Sequence, residues 1–169
     1  MNLAQLDDLT CAVLRGENVI WPSARGDDFE AMFIRRAEYH GISALLQERM
    51  SQLSAWPSSV REVVRRHALA QAVWELRHQQ VLGELVHALS TRNIEPVMFK
   101  GTTRAYGLYA NPVWRARGDT DMIVARHDWA ASETLFALGF RPNTGVSGEF
   151  RELSGQLRKR CSILTNQSL

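Results

Sequence analysis

Cysteine is scarce in this 169-residue chain: Cys11 and Cys161 stand at opposite ends, with no CxxC spacing. That excludes a disulfide framework and a cysteine-rich zinc site, and makes a reducing compartment the default expectation. No apolar run approaches the ~20 residues needed to cross a bilayer, so no membrane partner is expected. The first segment keeps Leu3, Leu6, Leu9 and Val13 at helical spacing with acids among them, unlike a signal peptide. Charge of one sign is missing too. Twenty Lys+Arg against eighteen Asp+Glu leave only +2, far from the surplus of a chain built around a phosphate backbone. Nucleic acid stays a candidate partner, although no aromatic-basic motif supports it. Internal repeats and low-complexity tracts are absent. With 45% hydrophobic and 22% charged residues, the chain can bury a core, which excludes a largely disordered protein. The expectation is a cytoplasmic protein with one compact domain, or one domain and a helical extension.

Residues 1–93 read as helical. Leu3 to Leu14 keep helical spacing and stop at Gly16. Asp27 or Asp28 can cap a second helix with Phe29, Met32, Phe33 and Ala37 on its face, ending before Gly41. Ser43 can cap a third, with Leu45, Leu46, Met50 and Leu53 inward. Pro57-Ser58-Ser59 then opens one long helix over about 58–92. Its stripe of Val60, Val64, His67, Gln71, Trp74, His78, Val81, Leu85 and Ala88 repeats near 3.5 residues, which makes a homodimer through this segment an expectation. His67 and His78 lie about 16 Å apart along a helix and cannot share one ion. They read as half-buried side chains hydrogen-bonded to neighbouring helices.

After Asn93 the texture changes. Ile94 to Phe99 suits the start of a buried strand, Gly101 to Tyr109 a short helix, and Asn111-Pro112 a turn. Asp119 to Ala125 reads as a strand, Asp128 to Leu138 as a helix ended by Gly139, and Phe140 starts another extended piece. Residues 94–169 are therefore expected to form an α/β core with a small mixed sheet, and the whole chain an α+β fold.

Asp119 and Asp121 carry the chemistry. Two apart in a strand, their carboxylates share one face, with Thr120 and Met122 on the other. Paired carboxylates repel, and a hard divalent cation relieves that repulsion; Mg²⁺ takes one or two carboxylates and leaves its other positions to water and phosphates. Upstream, Lys100-Gly101-Thr102-Thr103 follows a strand and opens a helix, where glycine and a helix N-terminus favour a phosphate. It is not a Walker loop, since GxxxxGK[ST] is absent. Arg115 and Arg117 could hold phosphate oxygens, and Arg117 could equally bridge to the aspartates. A pair of solvated aspartates is the plain reading of a bare DxD. His127 reads as a surface histidine, and Trp56, Trp74, Trp114 and Trp129 as scattered core or rim aromatics.

The run VMFKGTTRAYGLYANPVWRARGDTDMIVARHDWAASETLFALGF resembles the uncharacterised nucleotidyltransferase family of the polymerase-beta-like superfamily. The likeness lies in Lys100-Gly101, Tyr109 with Pro112, Arg115, Asp119, Asp121, Ile123-Val124 and Leu138-Gly139-Phe140, and extends upstream to His40-Gly41-Ile42, spanning roughly Asp28 to Arg141. It implies transfer of a nucleoside monophosphate from an NTP to an acceptor hydroxyl, with Mg²⁺ or Mn²⁺ held by Asp119 and Asp121. Lys100, Gly101, Thr102 and Arg115 become the nucleotide-binding candidates. The superfamily also places a third carboxylate on a later strand between apolar residues. After Phe140 the acids are Glu149 and Glu152, neither in that pattern, so the core is expected to be incomplete at its C-terminal end, with Glu149 a makeshift third ligand. Two rivals accompany this reading: a nucleotide- or metal-binding module without activity, and a helical interaction protein.

Overall fold

The computed structural model describes residues 3–22, 26–124, 129–143, 150–154 and 160–165. The chain divides into two compact units, residues 1–74 and 75–169. The fold is α+β, with six α-helices and one five-stranded mixed sheet among the described residues.

The first unit holds α1 (Leu3–Leu14), α2 (Gly26–His40), α3 (Ser43–Glu48) and the start of α4 (Ser58–Ser90). Their apolar stripes meet in a core containing Leu6, Val13, Phe29, Phe33, Leu46, Leu53, Val60 and Val64. Trp21 sits at its centre, 5.1 Å from the Phe29 ring and 4.7 Å from the Trp56 ring, while Phe33 meets Trp56 edge-on at 5.2 Å. Aromatic groups at these separations add attraction beyond the area they bury. Trp56 satisfies its indole N–H on the Val19 carbonyl at 2.8 Å.

Ser43 does not cap α3, contrary to expectation. It is the buried first residue of the helix, and Ile42 precedes it with no side-chain cap. Ile42 is already committed, because its N–H reaches back to the Ala37 carbonyl and closes the end of α2. There Gly41 turns left-handed at φ +63°, and its own N–H returns to Glu38. The same closure ends α4 at Asn93, which adopts φ +58° while Ile94 donates to the Leu89 carbonyl. Asparagine tolerates this conformation better than most residues, so α4 stops where the sequence suggests.

The second unit contains the end of α4, then β1 (Val97–Phe99), α5 (Lys100–Leu108), a 3₁₀ turn (Pro112–Trp114), β2 (Thr120–Val124), α6 (Trp129–Ala137), β3 (Arg141–Asn143), β4 (Phe150–Ser154) and β5 (Arg160–Thr165). The strand order is β1-β2-β5-β4-β3. β2 runs antiparallel to β1 and parallel to β5; β4 is antiparallel to both β5 and β3. β2 is therefore flanked on both sides, and its Thr120, Asp121, Met122 and Val124 are all buried. Met122 and Val124 join Leu85, Leu89, Ile94, Ala131, Leu135 and Phe140 in the core of this unit.

Two readings of the sequence change. The segment before Phe99 is not a buried strand: only Val97–Phe99 pairs, on the sheet's edge, and Val97 is 60% exposed. Pro96 offers no N–H to a ladder and Ile94 is already folded back onto α4, so pairing begins late. Beyond the extended piece expected to start at Phe140, the chain also supplies β4 and β5. Register sets Ser162 of β5 opposite both Asp121 of β2 and Glu152 of β4. Residues 127 and 149 lie outside the described residues.

The long-helix stripe is used inside the protein: Val60 and Val64 are buried in the first core and Leu85 in the second. Phe33→Ala should remove the ring that packs on both Trp21 and Trp56 and cost about 3–5 kcal/mol. Urea unfolding followed by tryptophan fluorescence would read that loss as a lower midpoint with an unchanged slope.

Candidate functional site

The site begins at the elbow between β1 and α5. Phe99 is extended, and Lys100 then takes φ +56°, a left-handed conformation without the excuse of glycine. That costs on the order of 1 kcal/mol, and residues held in such conformations cluster where geometry matters. Register explains what the turn achieves. Phe99 stands opposite Asp121 in the β1–β2 ladder, so the next residue starts beside that carboxylate. The Lys100 ammonium lies 3.2 Å from Asp121 Oδ2 and 5.1 Å from the centre of the Phe99 ring. The Lys100 side chain is 65% exposed and that of Asp121 only 9%.

α5 continues from this elbow, and no side chain caps its first turn. Its leading N–H groups and the helix dipole together favour an anion at this end. Thr102 turns its side chain inward. It is buried, and its hydroxyl donates to the Thr120 hydroxyl at 3.1 Å. Any contact from Thr102 to a phosphate would therefore come from its backbone. A Cβ built on Gly101 would meet Arg117 Cβ at 3.7 Å, which is ordinary contact.

Across from the elbow, Asp119 is exposed just before β2 begins, and Asp121 is buried within it. The expected alternation holds along the strand. Thr120 faces His78 of α4 and Thr102 of α5, Met122 enters the core, and Asp121 meets Lys100. Arg115 is half-buried and donates to the Ala116 carbonyl at 3.0 Å, held in the loop that follows the 3₁₀ turn.

Arg117 goes elsewhere than either sequence reading suggested. Its side chain is 2% exposed and pairs at 2.9 Å with the carboxylate of Glu75, also 2% exposed. Glu75 accepts further hydrogen bonds from the Tyr106 hydroxyl at 2.8 Å and the Gln79 amide at 3.3 Å. Arg117 also lies over the Tyr106 ring, 5.0 Å from its centre, and donates to His78 Nδ1 at 3.1 Å. The other ring nitrogen of His78 meets the Thr120 hydroxyl. His78 is half-buried and hydrogen-bonded as expected, with partners on β2 and in the loop before it. His67, in the first unit, does reach a helix: its Nε2 is 3.3 Å from Glu38 of α2.

Sequence reasoning missed Glu75, Tyr106 and Thr120 as parts of this arrangement. The available signal lay in α4, where Glu75 falls next to stripe residue Trp74 and close to the polar stripe residues Gln71 and His78. A charged residue on an inward helical stripe requires a partner of opposite sign.

Asp119 and Asp121 present the hard oxygen donors that Mg²⁺ or Mn²⁺ takes, and a nearly buried Asp121 carboxylate already draws a cation to itself. The pair fits a metal that keeps water or phosphate in its remaining positions. Among the described residues, no group of three His, Cys, Asp or Glu stands together.

The family model described as Uncharacterised nucleotidyltransferase matches residues 29–163, and the chain belongs to that family. No curated protein and no solved structure matches the chain. Among the described residues no helix is long and apolar enough to cross a membrane.

Arg117→Met should strand a buried carboxylate and cost about 3–5 kcal/mol. Adding Glu75→Leu should recover most of that loss in the same urea titration, because no unpaired charge is then left behind. Burial, reinforced by the hydrogen bond to Glu75, pushes the Tyr106 hydroxyl up to about 12. An unfolded tyrosine titrates near 10, so the stability linked to this proton is complete below about pH 10 and lost as pH rises toward 12. Tyr106→Phe should flatten the fall in melting midpoint across that window.

Proposed function

We propose that this protein is a metal-dependent nucleotidyltransferase that moves a nucleoside monophosphate from an NTP to an acceptor hydroxyl. The observation that carries the reading is the meeting of two elements at one elbow. An uncapped helix N-terminus, at Lys100-Gly101-Thr102, opens beside the strand end that bears Asp119 and Asp121. Family membership supports nucleotidyl transfer in general, and the geometry of the elbow is the support for the roles proposed below.

In the proposed mechanism, Asp119 and Asp121 hold Mg²⁺ or Mn²⁺, and the first N–H groups of α5 cradle the triphosphate. The metal, when bound, offsets the charge that builds on the attacking and leaving oxygens. Lys100 lies close enough to Asp121 to turn its ammonium toward the triphosphate once a divalent cation takes its place as counter-ion. Arg115 is the second cation assigned to the phosphates, and would have to leave the Ala116 carbonyl to reach them. The acceptor oxygen forms a bond to the α-phosphorus, the bond from that phosphorus to the bridging oxygen breaks, and pyrophosphate departs with the electron pair. The hydroxyl proton passes to water.

Anything that binds only the folded protein raises its melting midpoint by mass action, by about 2.7 kcal/mol of stability at a hundred times Kd. Mg²⁺ together with an NTP should therefore stabilise the wild type and fail to stabilise Asp119→Asn/Asp121→Asn. Equal shifts in the two proteins would place the nucleotide elsewhere. Gly101→Ala offers a finer check. Alanine fits the space and is the better helix former, so the midpoint without ligand should not fall, while the NTP-induced shift should shrink as the added methyl crowds the cradle.

A further inference from the structure

Thr120 stands between the two aspartates, yet its hydroxyl points away from them into a chain of buried polar groups. The donors and acceptors in that chain are fixed by one residue. A guanidinium can only donate, so the 3.1 Å contact from Arg117 makes His78 Nδ1 an acceptor. The imidazole proton then resides on Nε2, which donates to Thr120 Oγ1. Thr102 reaches the same oxygen at 3.1 Å. One hydroxyl of β2 thus ties together α4, through His78, and the first turn of α5, through Thr102. The far end of the chain is anchored at the buried Glu75–Arg117 pair.

We infer that His78, held by Arg117 and Glu75, is a positioning residue: through the Thr120 hydroxyl it sets the gap between the α5 N-terminus and the Asp119–Asp121 strand. The inference rests on the proposed reading of that gap as the place where metal and triphosphate meet. Thr102 follows Gly101 directly, and Thr120 is bonded to both aspartates along the backbone. Their 3.1 Å contact thus links the two halves of the site from the buried side, opposite the Lys100–Asp121 pair. Small displacements matter where an anion must touch backbone N–H groups and a carboxylate-bound cation together. A purely structural role would predict something different: loss of the hydroxyl would weaken the whole unit and every property of the site alike.

The test uses the full chain as wild type, Thr120→Val, Thr120→Ser and His78→Leu. Calorimetry measures Mn²⁺ alone, and then tripolyphosphate in the presence of Mn²⁺; this probe has no base or sugar and reads only the gap. Thr120→Val keeps the side-chain shape, so the variants should fold, with melting midpoints within a few degrees of wild type. Tripolyphosphate affinity should fall at least about tenfold in Thr120→Val and His78→Leu, Mn²⁺ affinity should stay within about twofold, and Thr120→Ser should keep tripolyphosphate affinity near that of the wild type. Wild-type tripolyphosphate affinity in Thr120→Val overturns the inference, and so does a parallel loss of Mn²⁺ and tripolyphosphate. If Thr120→Val does not fold, His78→Leu decides by the same criteria; if neither folds, the role is structural and the inference fails. A wild type that binds neither probe overturns the site reading itself, a result distinct from all of these.

Discussion

The second unit is organised around one buried ion pair. Glu75 and Arg117 are each 2% exposed, and each would be costly to bury alone. Burial of such a pair is eased when further lone pairs and protons also find partners. Tyr106 and Gln79 donate to the carboxylate, and His78 accepts from the guanidinium. Those requirements recruit α4, α5 and the loop before β2 into one arrangement. Compared with a merely apolar contact, a polar network of this kind specifies geometry closely, because shifting a member breaks the hydrogen bonds of its neighbours.

That constraint bears directly on the candidate site, which lies at the network's outer end. Beyond the ion pair come His78, then Thr120, and on either side of Thr120 the two aspartates. The strained backbone at Lys100 completes the picture. β1 leaves the sheet edge, turns through a left-handed residue, and starts a helix whose uncapped end faces the strand bearing the carboxylates. Lys100 then neutralises Asp121, so the buried negative charge has a counter-ion on hand. On the proposed reading, a divalent cation and a triphosphate enter a place already arranged for opposite charges.

Much of this was legible in the sequence, for identifiable reasons. Helix ends were readable because Gly16, Gly41, Asn93 and Gly139 each turn left-handed, which few other residue types do without cost. β2 was readable because apolar residues follow alternating acids, and the Lys-Gly elbow because it sits between an apolar run and a helical one. What stayed hidden depends on pairing at a distance. β4 and β5 carry no clear local strand signal, and their strand character comes from the ladders that join β5 to β2 and β4 to β5. Arg117 was readable as a cation but not as the partner of Glu75, forty-two residues earlier. Ser43 looked like a helix cap because its type suits the role, but the end of α2 had already fixed the residue before it.

The most direct measurement of the central claim asks which phosphorus is attacked. The wild type would be incubated with Mn²⁺ and each NTP, with water as the acceptor, and the products followed by ³¹P NMR. The account predicts slow release of pyrophosphate with the matching nucleoside monophosphate, abolished in Asp121→Asn. Release of orthophosphate with nucleoside diphosphate, or pyrophosphate formed equally by wild type and Asp121→Asn, would contradict it.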